Sequence, residues 1–423
     1  MHQEYQKSKQ KIQKMNIKTL SFGCRLNALE CEKIANMLSD ITDNVIVVNT
    51  CSVTGEAERQ CAQMVRKLSR ENPGALIFVT GCGATRNPKL FESVPNSIVI
   101  DNADKMKLSS YIDGAAIADF DLSTSKINLF KDNESKLSKK FVQVQNGCNH
   151  DCTYCVTRLL RGKNISFPYK DILADVKSAV ANGFYEIVLT GVDTASYVLR
   201  ENNRPVLLSD VCQRLLTDVP QIKHLRLSSI DPASPEVPKI MNLMRMDSRF
   251  MPHLHLSMQS GSDKILHAMR RRHDSKKLLE LVKLAAGQIS FSADIICGFP
   301  GETKELFNET VEMVRKMGLI HIHAFPFSPR PGTVAVTMPN QIPRNISKER
   351  VKIITEIANG NRKEFMENQV GNVVSVLVEE NNIGRTPDDI DIKIVGKKLP
   401  NKTICDVKIT GIDNDKFIGT QTE

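Results

Sequence analysis

The chain has 423 residues, of which 41% are hydrophobic and 25% charged, and its formal net charge is +9. This composition is that of an ordinary globular protein with room for two or three domains. It excludes a membrane-spanning protein, because no apolar run approaches the roughly 18 residues that a crossing helix needs. Eleven cysteines without a secretory signal exclude a disulfide framework and favour a cytoplasmic protein whose thiols bind metal. The basic excess suits a polyanionic partner.

The first predicted domain spans residues 17–125 and follows a polar leader, residues 1–16, in which Met15 is an alternative start. Short apolar strands alternate here with helical patterns, which predicts an α/β domain with a doubly wound parallel sheet. The predicted strands are Thr19–Gly23, Val45–Asn49, Ala75–Thr80 and Ser97–Ile100. Residues 126–140 are polar and rich in lysine, and we expect a linker there.

The second predicted domain, residues 141–369, contains six more strand-like segments separated by helical stretches. Six β/α units predict a partial parallel barrel, which places its chemistry at the carboxyl ends of its strands. The predicted strands are Phe141–Asn146, Glu186–Thr190, His224–Ser228, His253–Ser257, Ser290–Cys297 and His321–Phe327. Two pairs of histidines each lie on one strand face: His253 with His255, and His321 with His323. We favour packing in the barrel interior for these histidines, and a metal pair is the alternative. Residues 370–423 read as short strands and predict a small β-barrel.

Three predicted strands of the first domain end in a cysteine: Cys24, Cys51 and Cys82. Ligands of an open parallel sheet collect beyond the carboxyl ends of its strands, so we expect these thiols to converge. Gly23 and Gly81 would let the backbone bend closely around an inorganic core. Ordinary burial of cysteine in strands is the alternative interpretation. We expect no ligand role for the other cysteines outside the motif described next, which are Cys31, Cys61, Cys212, Cys297 and Cys405.

Another three cysteines, Cys148, Cys152 and Cys155, lie close together near the start of the second domain. A structural zinc site closes with four protein ligands, and an ordinary iron–sulfur cluster also takes four. Three thiolates on a 4Fe-4S cluster would leave one iron open to a substrate or cofactor. A zinc knot with His150 as the fourth ligand and unligated cysteines are the alternatives.

This C-x3-C-x2-C spacing, with Tyr154 just before the last cysteine, resembles the signature of radical S-adenosylmethionine (SAM) enzymes. Together with the earlier cysteine set and the small C-terminal β-domain, it resembles the radical SAM methylthiotransferases over about residues 17–423. The segments Gly23–Ala28 and Asn49–Thr54 are most similar to the MtaB branch of that family. The C-terminal β-barrel resembles the TRAM module, a small RNA-binding domain.

The resemblance implies two 4Fe-4S clusters and SAM as cofactors, with no catalytic residue beyond the cluster ligands. The implied ligands are Cys24, Cys51 and Cys82 for an auxiliary cluster, and Cys148, Cys152 and Cys155 for the cluster that reduces SAM. SAM would lie at the mouth of the barrel, where each strand-end contact is also consistent with an ordinary turn. The implied SAM contacts are Tyr154, Gly191, Ser228, Gln259 and Gly298.

By the same resemblance the chain is a tRNA methylthiotransferase that converts N6-threonylcarbamoyladenosine at position 37, next to the anticodon, into its 2-methylthio derivative. The implied partners are the anticodon stem-loop of tRNA, an electron donor such as flavodoxin or ferredoxin, and a sulfur donor. The alternatives are MiaB-like activity on N6-isopentenyladenosine of tRNA, RimO-like methylthiolation of a ribosomal protein and, outside enzymes, a metal-holding RNA-binding protein. Four lysines are candidates for phosphate contact, with solvated surface as the alternative: Lys397, Lys398, Lys402 and Lys408.

Overall fold

A computed structural model describes residues 17–39, 45–112 and 138–422 of the chain. The chain divides into two compact units, Met1–Asn133 and Glu134–Glu423. The expected leader with its alternative start, and residues 126–137 of the expected linker, lie outside the described residues. None of the helices in the described ranges combines the length and the apolar character that a membrane crossing requires.

A four-stranded parallel sheet forms the centre of the first unit, with its strands side by side in chain order. The strands are β1 (Lys18–Ser21), β2 (Val45–Thr50), β3 (Leu76–Gly81) and β4 (Ser97–Val99). The helices are α1 (Arg25–Leu38), α2 (Gly55–Glu71), α3 (Cys82–Arg86), α4 (Lys89–Glu92) and α5 (Ser109–Ile112).

Helices cover both faces of this sheet, as the predicted architecture requires. All six residues of β2 are buried, and their side chains alternate between two apolar clusters. Val47 belongs to the cluster that contains Leu38 of α1, whereas Val48 belongs to the cluster that contains Val65 of α2. The predicted α/β fold of this region is therefore confirmed.

The second unit begins with ten strands and eight helices among its described residues. In chain order the strands are β5 (Lys140–Gln143), β6 (Gln145–Asn146), β7 (Ile165–Ser166), β8 (Glu186–Thr190), β9 (Val198–Glu201), β10 (Arg204–Leu207), β11 (His224–Leu227), β12 (His253–Gln259), β13 (Ser290–Cys297) and β14 (His321–Pro326). The helices are α6 (Thr157–Arg161), α7 (Tyr169–Ala181), α8 (Leu208–Asp218), α9 (Glu236–Met246), α10 (Asp263–Ala268), α11 (Ser275–Ala285), α12 (Lys304–Met317) and α13 (Arg344–Gln369).

Six of these strands form the partial barrel that the sequence predicts. They run in the order β5, β8, β11, β12, β13 and β14, as two parallel three-stranded sheets. Isolated parallel bridges at Leu225–Phe250 and Ile230–Leu256 connect the two sheets. Leu254 and Leu256 of β12 lie in the main apolar core together with Ile240 of α9, so the helices cover the outside of the barrel.

A closed five-stranded β-barrel ends the chain, as expected from the sequence. Its strands are β15 (Val373–Val378), β16 (Ile383–Arg385), β17 (Asp391–Val395), β18 (Ile404–Asp413) and β19 (Lys416–Gln421). Met366 of α13 and Ile320 before β14 belong to the same apolar cluster as the interior of this small barrel. The two barrels of the second unit therefore share buried surface.

A buried ionic network also joins the small barrel to the first residues of β8 and β11. Glu186 is fully buried and lies 3.0 Å from Nε of Arg226 and 2.9 Å from Nδ1 of His224. Arg226 donates to the backbone oxygens of Thr386 and Pro387, both at 2.7 Å. Burial would raise the pKa of Glu186, but Arg226 and His224 outweigh burial and lower that pKa from 4.5 to about 2. Glu186 is therefore a buried carboxylate that supports the joint.

Replacing Glu186 by glutamine should destabilise the chain by about 3 kcal/mol at pH 7, because Arg226 would lose its buried counter-charge. A carboxylate with a lowered native pKa stabilises fully above pH 4.5, and this stabilisation is lost as the pH falls towards about 2. The difference between E186Q and the unmodified chain should thus shrink by about 2 kcal/mol between pH 7 and pH 3. Urea unfolding followed by circular dichroism at both pH values measures this difference in the free energy of unfolding.

E201Q is the matched control, because Glu201 pairs with Arg214 where both side chains are 40% exposed. That substitution should cost about 1 kcal/mol or less. An equal effect of E186Q at both pH values would show that Glu186 is not ionised in the native joint.

Candidate cofactor-binding sites

Three of the five cysteines of the first unit follow the carboxyl ends of neighbouring parallel strands. Cys24 precedes the first residue of α1, Cys51 follows β2, and Cys82 is the first residue of α3, directly after β3. Cys51 and Cys82 are buried, whereas Cys24 is exposed. The loops that carry the three thiols are thus adjacent, and Cys24 leaves the group open to solvent.

Two glycines make the close packing of these loops possible. Gly23 has a φ of +85°, and a Cβ at this position would lie 2.4 Å from Sγ of Cys51. Gly81 has a φ of +91°, and a Cβ there would lie 2.1 Å from Oδ1 of Asn49. A side chain at Gly23 would fill the space around the Cys51 thiol, and one at Gly81 would collide with Asn49 and the Thr50 backbone. The arrangement therefore fits an inorganic group held against bare backbone.

A network of buried amides and hydroxyls fixes the loops. Asn27 donates to the backbone oxygens of Phe22 at 2.8 Å and Thr50 at 3.2 Å. The hydroxyl of Thr50 donates to the oxygen of Thr80 at 2.6 Å and accepts the N–H of Ala84 at 2.8 Å. Strands β2 and β3 and the start of α1 are thereby locked together beneath the cysteines. Sequence reasoning missed these residues, although Asn27 and Thr50 lie within the family-like segments.

The electrostatic setting of Cys51 is not that of a reactive nucleophile. Burial, together with the nearby Cys24 and Cys82, raises the pKa of the Cys51 thiol to about 11. A reactive cysteine needs a lowered pKa, whereas a metal-bound thiol is deprotonated by the metal itself. Cys61 of α2 is also buried, and its sulfur accepts the backbone N–H of Cys51 at 3.4 Å.

Three cysteines of the second unit, Cys148, Cys152 and Cys155, lie on the loop between β6 and α6, and all three are half-buried. This loop is attached to the barrel through Thr153. Its N–H donates to the oxygen of Met269 at 3.2 Å, its hydroxyl to the oxygen of Ala268 at 3.0 Å, and its own oxygen accepts the N–H of Ala335 at 2.8 Å. Backbone bonds rather than thiol contacts therefore hold the loop in place.

A histidine–aspartate pair stands beside the first of these cysteines. Nε2 of His150 lies 2.6 Å from Oδ2 of Asp193, and Sγ of Cys148 lies 3.8 Å from the same oxygen. Ser196 donates to this carboxylate at 2.5 Å. Burial, together with the nearby Asp193, raises the pKa of the Cys148 thiol to about 12.

Among the described residues, Cys148, His150 and Asp193 form the one group whose three ligand atoms lie within 4.8 Å of one another. Neither cysteine triad is drawn together that closely. Tetrahedral zinc, with Zn–S bonds of about 2.3 Å, requires sulfurs about 3.8 Å apart. The wider spacing of each triad fits a larger core such as an iron–sulfur cluster.

The predicted SAM contacts do lie at successive strand ends of the barrel. Gly191 follows β8, Ser228 follows β11, Gln259 ends β12 and Gly298 follows β13. The Ser228 hydroxyl is buried and has no hydrogen-bond partner among the described residues. Gln259 adopts a φ of +71° beside a register shift in β12, which is a strained conformation of the kind that collects at binding sites. An unsatisfied hydroxyl and a strained strand end fit a polar ligand at this edge.

The Gly298 turn and Tyr154 lie beside the same apolar cluster. Gly298 donates its N–H to Oε2 of Glu302 at 2.6 Å, and Arg350 holds the same oxygen at 2.6 Å. The ring of Tyr154 packs against the apolar cluster that contains Phe299, and its burial raises the pKa of the phenol well above the usual range. The backbone N–H of Gly298 is thus engaged within the protein.

Gln145 connects the cluster loop to the end of β8 and was missed in the sequence. Its Oε1 accepts the N–H groups of Val192 at 2.9 Å and Asp193 at 2.8 Å, and its Nε2 donates to Oδ1 of Asn164 at 2.7 Å. A Cβ on Gly191 would lie 2.8 Å from Oε1 of Gln145. The signal available in the sequence was its position just before Asn146-Gly147-Cys148.

The histidine pairs are held by neighbouring strands. His253 lies 2.7 Å from the Ser290 hydroxyl and 2.8 Å from that of Ser292, and His255 lies 3.1 Å from Asp294. No group of three metal-ligand atoms was found at these histidines within the described residues. The hydrogen bonds of His253 and His255 agree with the packing interpretation, whereas His321 and His323 are exposed, so interior packing was wrong for that pair.

Comparison with known proteins gives two family matches. Residues 142–314 match the radical SAM superfamily, and residues 14–101 match the uncharacterized protein family UPF0004. A threonylcarbamoyladenosine tRNA methylthiotransferase MtaB of Rickettsia prowazekii is 40% identical and covers 93% of this chain and 94% of its own length. The MtaB protein of Chlamydia pneumoniae is 32% identical and covers 96% of this chain and 98% of its own length.

More distant similarities concern a neighbouring reaction and the fold. A tRNA-2-methylthio-N6-dimethylallyladenosine synthase of Carboxydothermus hydrogenoformans is 29% identical over 91% of each chain. The structure of the radical SAM methyltransferase TsrM from Kitasatospora setae, solved with cobalamin and a 4Fe-4S cluster, aligns with a TM-score of 0.53. That alignment covers 72% of this chain and 65% of TsrM, and at 14% identity it concerns the fold alone.

Two glycines of one turn allow a test of the packing at Gly298. Gly298 (φ +79°) and Gly301 (φ +81°) share the same strained conformation, but only at Gly298 would a Cβ collide, 1.9 Å from the Ser347 hydroxyl. Each alanine substitution should cost about 1 kcal/mol for the positive φ. G298A should cost about 2 kcal/mol more, because Ser347 of α13 must move. Urea unfolding of both variants measures the difference, and equal costs would contradict the close packing.

Proposed function

The chain belongs to the MtaB family of threonylcarbamoyladenosine tRNA methylthiotransferases, which are radical SAM enzymes with two 4Fe-4S clusters, and from this membership we propose how its residues divide the work. The chain is a tRNA methylthiotransferase acting on N6-threonylcarbamoyladenosine. We place the target at position 37 of tRNA, next to the anticodon. The family relationship rests on relatives that match over nearly the whole chain.

We assign one cluster to each cysteine triad. Cys24, Cys51 and Cys82 would hold the auxiliary cluster, and Cys148, Cys152 and Cys155 the cluster that binds SAM. The observation that carries this assignment is that each triad lies on loops held by the surrounding protein and supplies only three thiols. A cluster with three protein ligands keeps one iron open. When bound, the clusters and SAM supply the radical and sulfur chemistry that an unactivated C–H bond of adenine requires.

The protein's own contribution is to bind and orient these groups. The unsatisfied hydroxyl of Ser228 supports a polar contact with SAM, and the strained Gln259 and the close-packed Gly191 shape the same edge. Tyr154 and Gly298 would bound the opposite side. Because the N–H of Gly298 already donates to Glu302, the contact of Gly298 with SAM would use its carbonyl or its lack of a side chain.

We propose domain bounds of 17–125 for the auxiliary-cluster domain, 141–369 for the SAM barrel and 370–423 for a TRAM-like RNA-binding barrel, with 126–140 as linker. The tRNA substrate would be contacted at its anticodon stem-loop. Lys397, Lys398 and Lys408 are exposed and suit phosphate contact, whereas Nζ of Lys402 lies 3.6 Å above the ring of Phe184. The reaction would further require an electron donor of the flavodoxin or ferredoxin class and a sulfur donor, and we expect the enzyme to act in the cytoplasm.

One observation favours a second candidate, a zinc-holding protein without radical chemistry. Cys148, His150 and Asp193 offer three zinc ligands at close range. Such a site would use His150, which the cluster assignment does not need, and would leave Cys152 and Cys155 without a metal. The two readings therefore differ in their dependence on His150.

Substituting each triad by alanine should remove one cluster. The reconstituted chain should hold about eight irons, and each triple variant about four. The variant lacking Cys24, Cys51 and Cys82 should still cleave SAM under reductant but give no methylthio product, whereas the variant lacking Cys148, Cys152 and Cys155 should do neither. Iron analysis, SAM cleavage and nucleoside chromatography measure these results.

Three single variants complete this experiment. G23A should lose the first cluster, because its Cβ would occupy the space of the Cys51 sulfur, whereas G183A has the same positive φ without a collision and should keep it. H150A should retain its iron. One zinc per chain that disappears in H150A, without SAM cleavage, would overturn the cluster assignment in favour of the zinc protein.

A strain of the source organism lacking the gene should lose 2-methylthio-N6-threonylcarbamoyladenosine from its tRNA and accumulate the unmethylthiolated nucleoside. The 2-methylthio derivative of isopentenyladenosine should be unchanged, which separates this activity from the MiaB-like one. Mass spectrometry of tRNA hydrolysates from the deletion strain, its parent and a complemented strain measures both. Unchanged tRNA together with loss of a methylthio group from a ribosomal protein would support the RimO-like alternative instead.

A further inference from the structure

A buried arginine stands beside one of the cysteines of the second unit. Nη1 of Arg271 lies 3.5 Å from Sγ of Cys152, and its side chain is only 7% exposed. Arg271 follows α10, far from the cysteine loop in the sequence. Neither the composition nor the cysteine motif gives this residue a role. An arginine is always charged, so this contact brings a permanent positive charge to the thiol.

Two further contacts hold the guanidinium in this position. Nη2 of Arg271 donates to the backbone oxygen of Ser257 in β12 at 2.8 Å and lies 3.2 Å from Oδ1 of Asp231. Asp231 is buried in the loop after β11, where it also accepts the N–H of Ala233 at 3.0 Å. Burial would raise the pKa of Asp231, but His273 and Arg271 outweigh it and hold that pKa far below its usual range. Asp231 is therefore a fixed negative charge next to the fixed positive charge of Arg271.

Charges this close to a cluster ligand act on its redox equilibrium. The potential of an iron–sulfur cluster depends on the hydrogen bonds to its sulfurs and on the local net charge. Reduction adds one negative charge to the cluster, so a buried cation beside a ligand sulfur favours the reduced form. A buried anion favours the oxidised form. Water is largely excluded from this position, so neither effect is strongly screened.

We propose that Arg271 is a positioning residue that raises the reduction potential of the cluster on Cys152, and that Asp231 both orients its guanidinium and limits the size of this effect. This inference rests on the proposed function, because Cys152 must be a cluster ligand. Arg271 thereby makes the cluster easier to reduce by the electron donor. Asp231 keeps the reduced cluster from becoming too weak a reductant for SAM.

A purely structural role for Arg271 makes a different prediction. If the side chain only tied the cysteine loop to β12, its loss would lower cluster occupancy and leave the potential of the remaining clusters unchanged. Loss of Asp231, which orients Arg271, would then also lower cluster occupancy and leave the potential unchanged. The proposed role instead requires opposite shifts of potential in R271Q and D231N, since the two side chains carry opposite charges.

The experiment uses the full chain lacking Cys24, Cys51 and Cys82, so that one cluster remains. Redox titration followed by electron paramagnetic resonance gives its midpoint potential, and iron analysis of the same samples gives its occupancy. At the midpoint poise of the reference chain, R271Q should lower the ratio of reduced to oxidised cluster about tenfold, equivalent to about 59 mV for a one-electron couple. D231N should raise this ratio. R271K keeps the positive charge, so its ratio should be close to that of the reference chain.

R272Q is the matched control. Arg272 lies 3.0 Å from the other oxygen of Asp231, but its side chain is 50% exposed. Its loss should change the ratio by less than about twofold, because water and salt screen an exposed charge. If R271Q loses its iron, the other two variants test the proposal. D231N must then raise the ratio of reduced to oxidised cluster, and R271K must keep that ratio near the value of the reference chain.

Shifts of R271Q and D231N in the same direction, or none in samples that retain about four irons, would overturn the proposal. An R272Q shift as large as that of R271Q would do the same. If the reference chain itself bound no iron, the cluster assignment would fail and this inference with it. That result differs from an iron-loaded protein whose reduction potential is unchanged by R271Q, which would overturn this inference alone.

Discussion

The carboxyl ends of parallel strands lie at one edge of a sheet, and this constraint places nearly every candidate ligand of the chain. In the first unit it brings together Cys24, Cys51 and Cys82, which are separated by whole helices in the sequence. In the second unit it aligns the ends of β8, β11, β12 and β13 around one opening. The candidate ligands lie outside the strands themselves, apart from Gln259 at the end of β12. Function therefore lies in the short loops beyond them, whose positions the sheets determine.

The sequence could predict those features whose signal is local. Cys51 and Gly81 each end a visible apolar strand, and the spacing of Cys148, Cys152 and Cys155 lies within one short segment. The partners of these residues were not visible, because each depends on a contact between distant segments. Gln145 bonds Val192 across 47 positions, and Arg271 reaches Cys152 across 119. A polar residue that meets its partner only in the folded barrel looks like any surface residue in a one-dimensional pattern.

The opposite ends of the barrel strands have a different task. Glu186 and His224 are the first residues of β8 and β11, and with Arg226 they bind the loop of the small barrel at Thr386 and Pro387. A buried carboxylate is stable there because Arg226 and His224 satisfy it. The amino ends of the strands thus hold the C-terminal barrel, while the carboxyl ends remain available for cofactors. This division agrees with the general rule that the lower face of such barrels serves stability.

The charges around the cysteine loop are held in place by partners other than the thiols. Each charged neighbour of a thiol is itself paired: Asp193 with His150 beside Cys148, and Arg271 with Asp231 beside Cys152. Thr153 fastens the loop to the barrel through three hydrogen bonds that involve no thiol. Small metal domains that lack such support fold only when metal binds. Here the loop is attached to a barrel with a large apolar core, and the charges beside its cysteines are held by partners within the fold, from where they can adjust cluster binding.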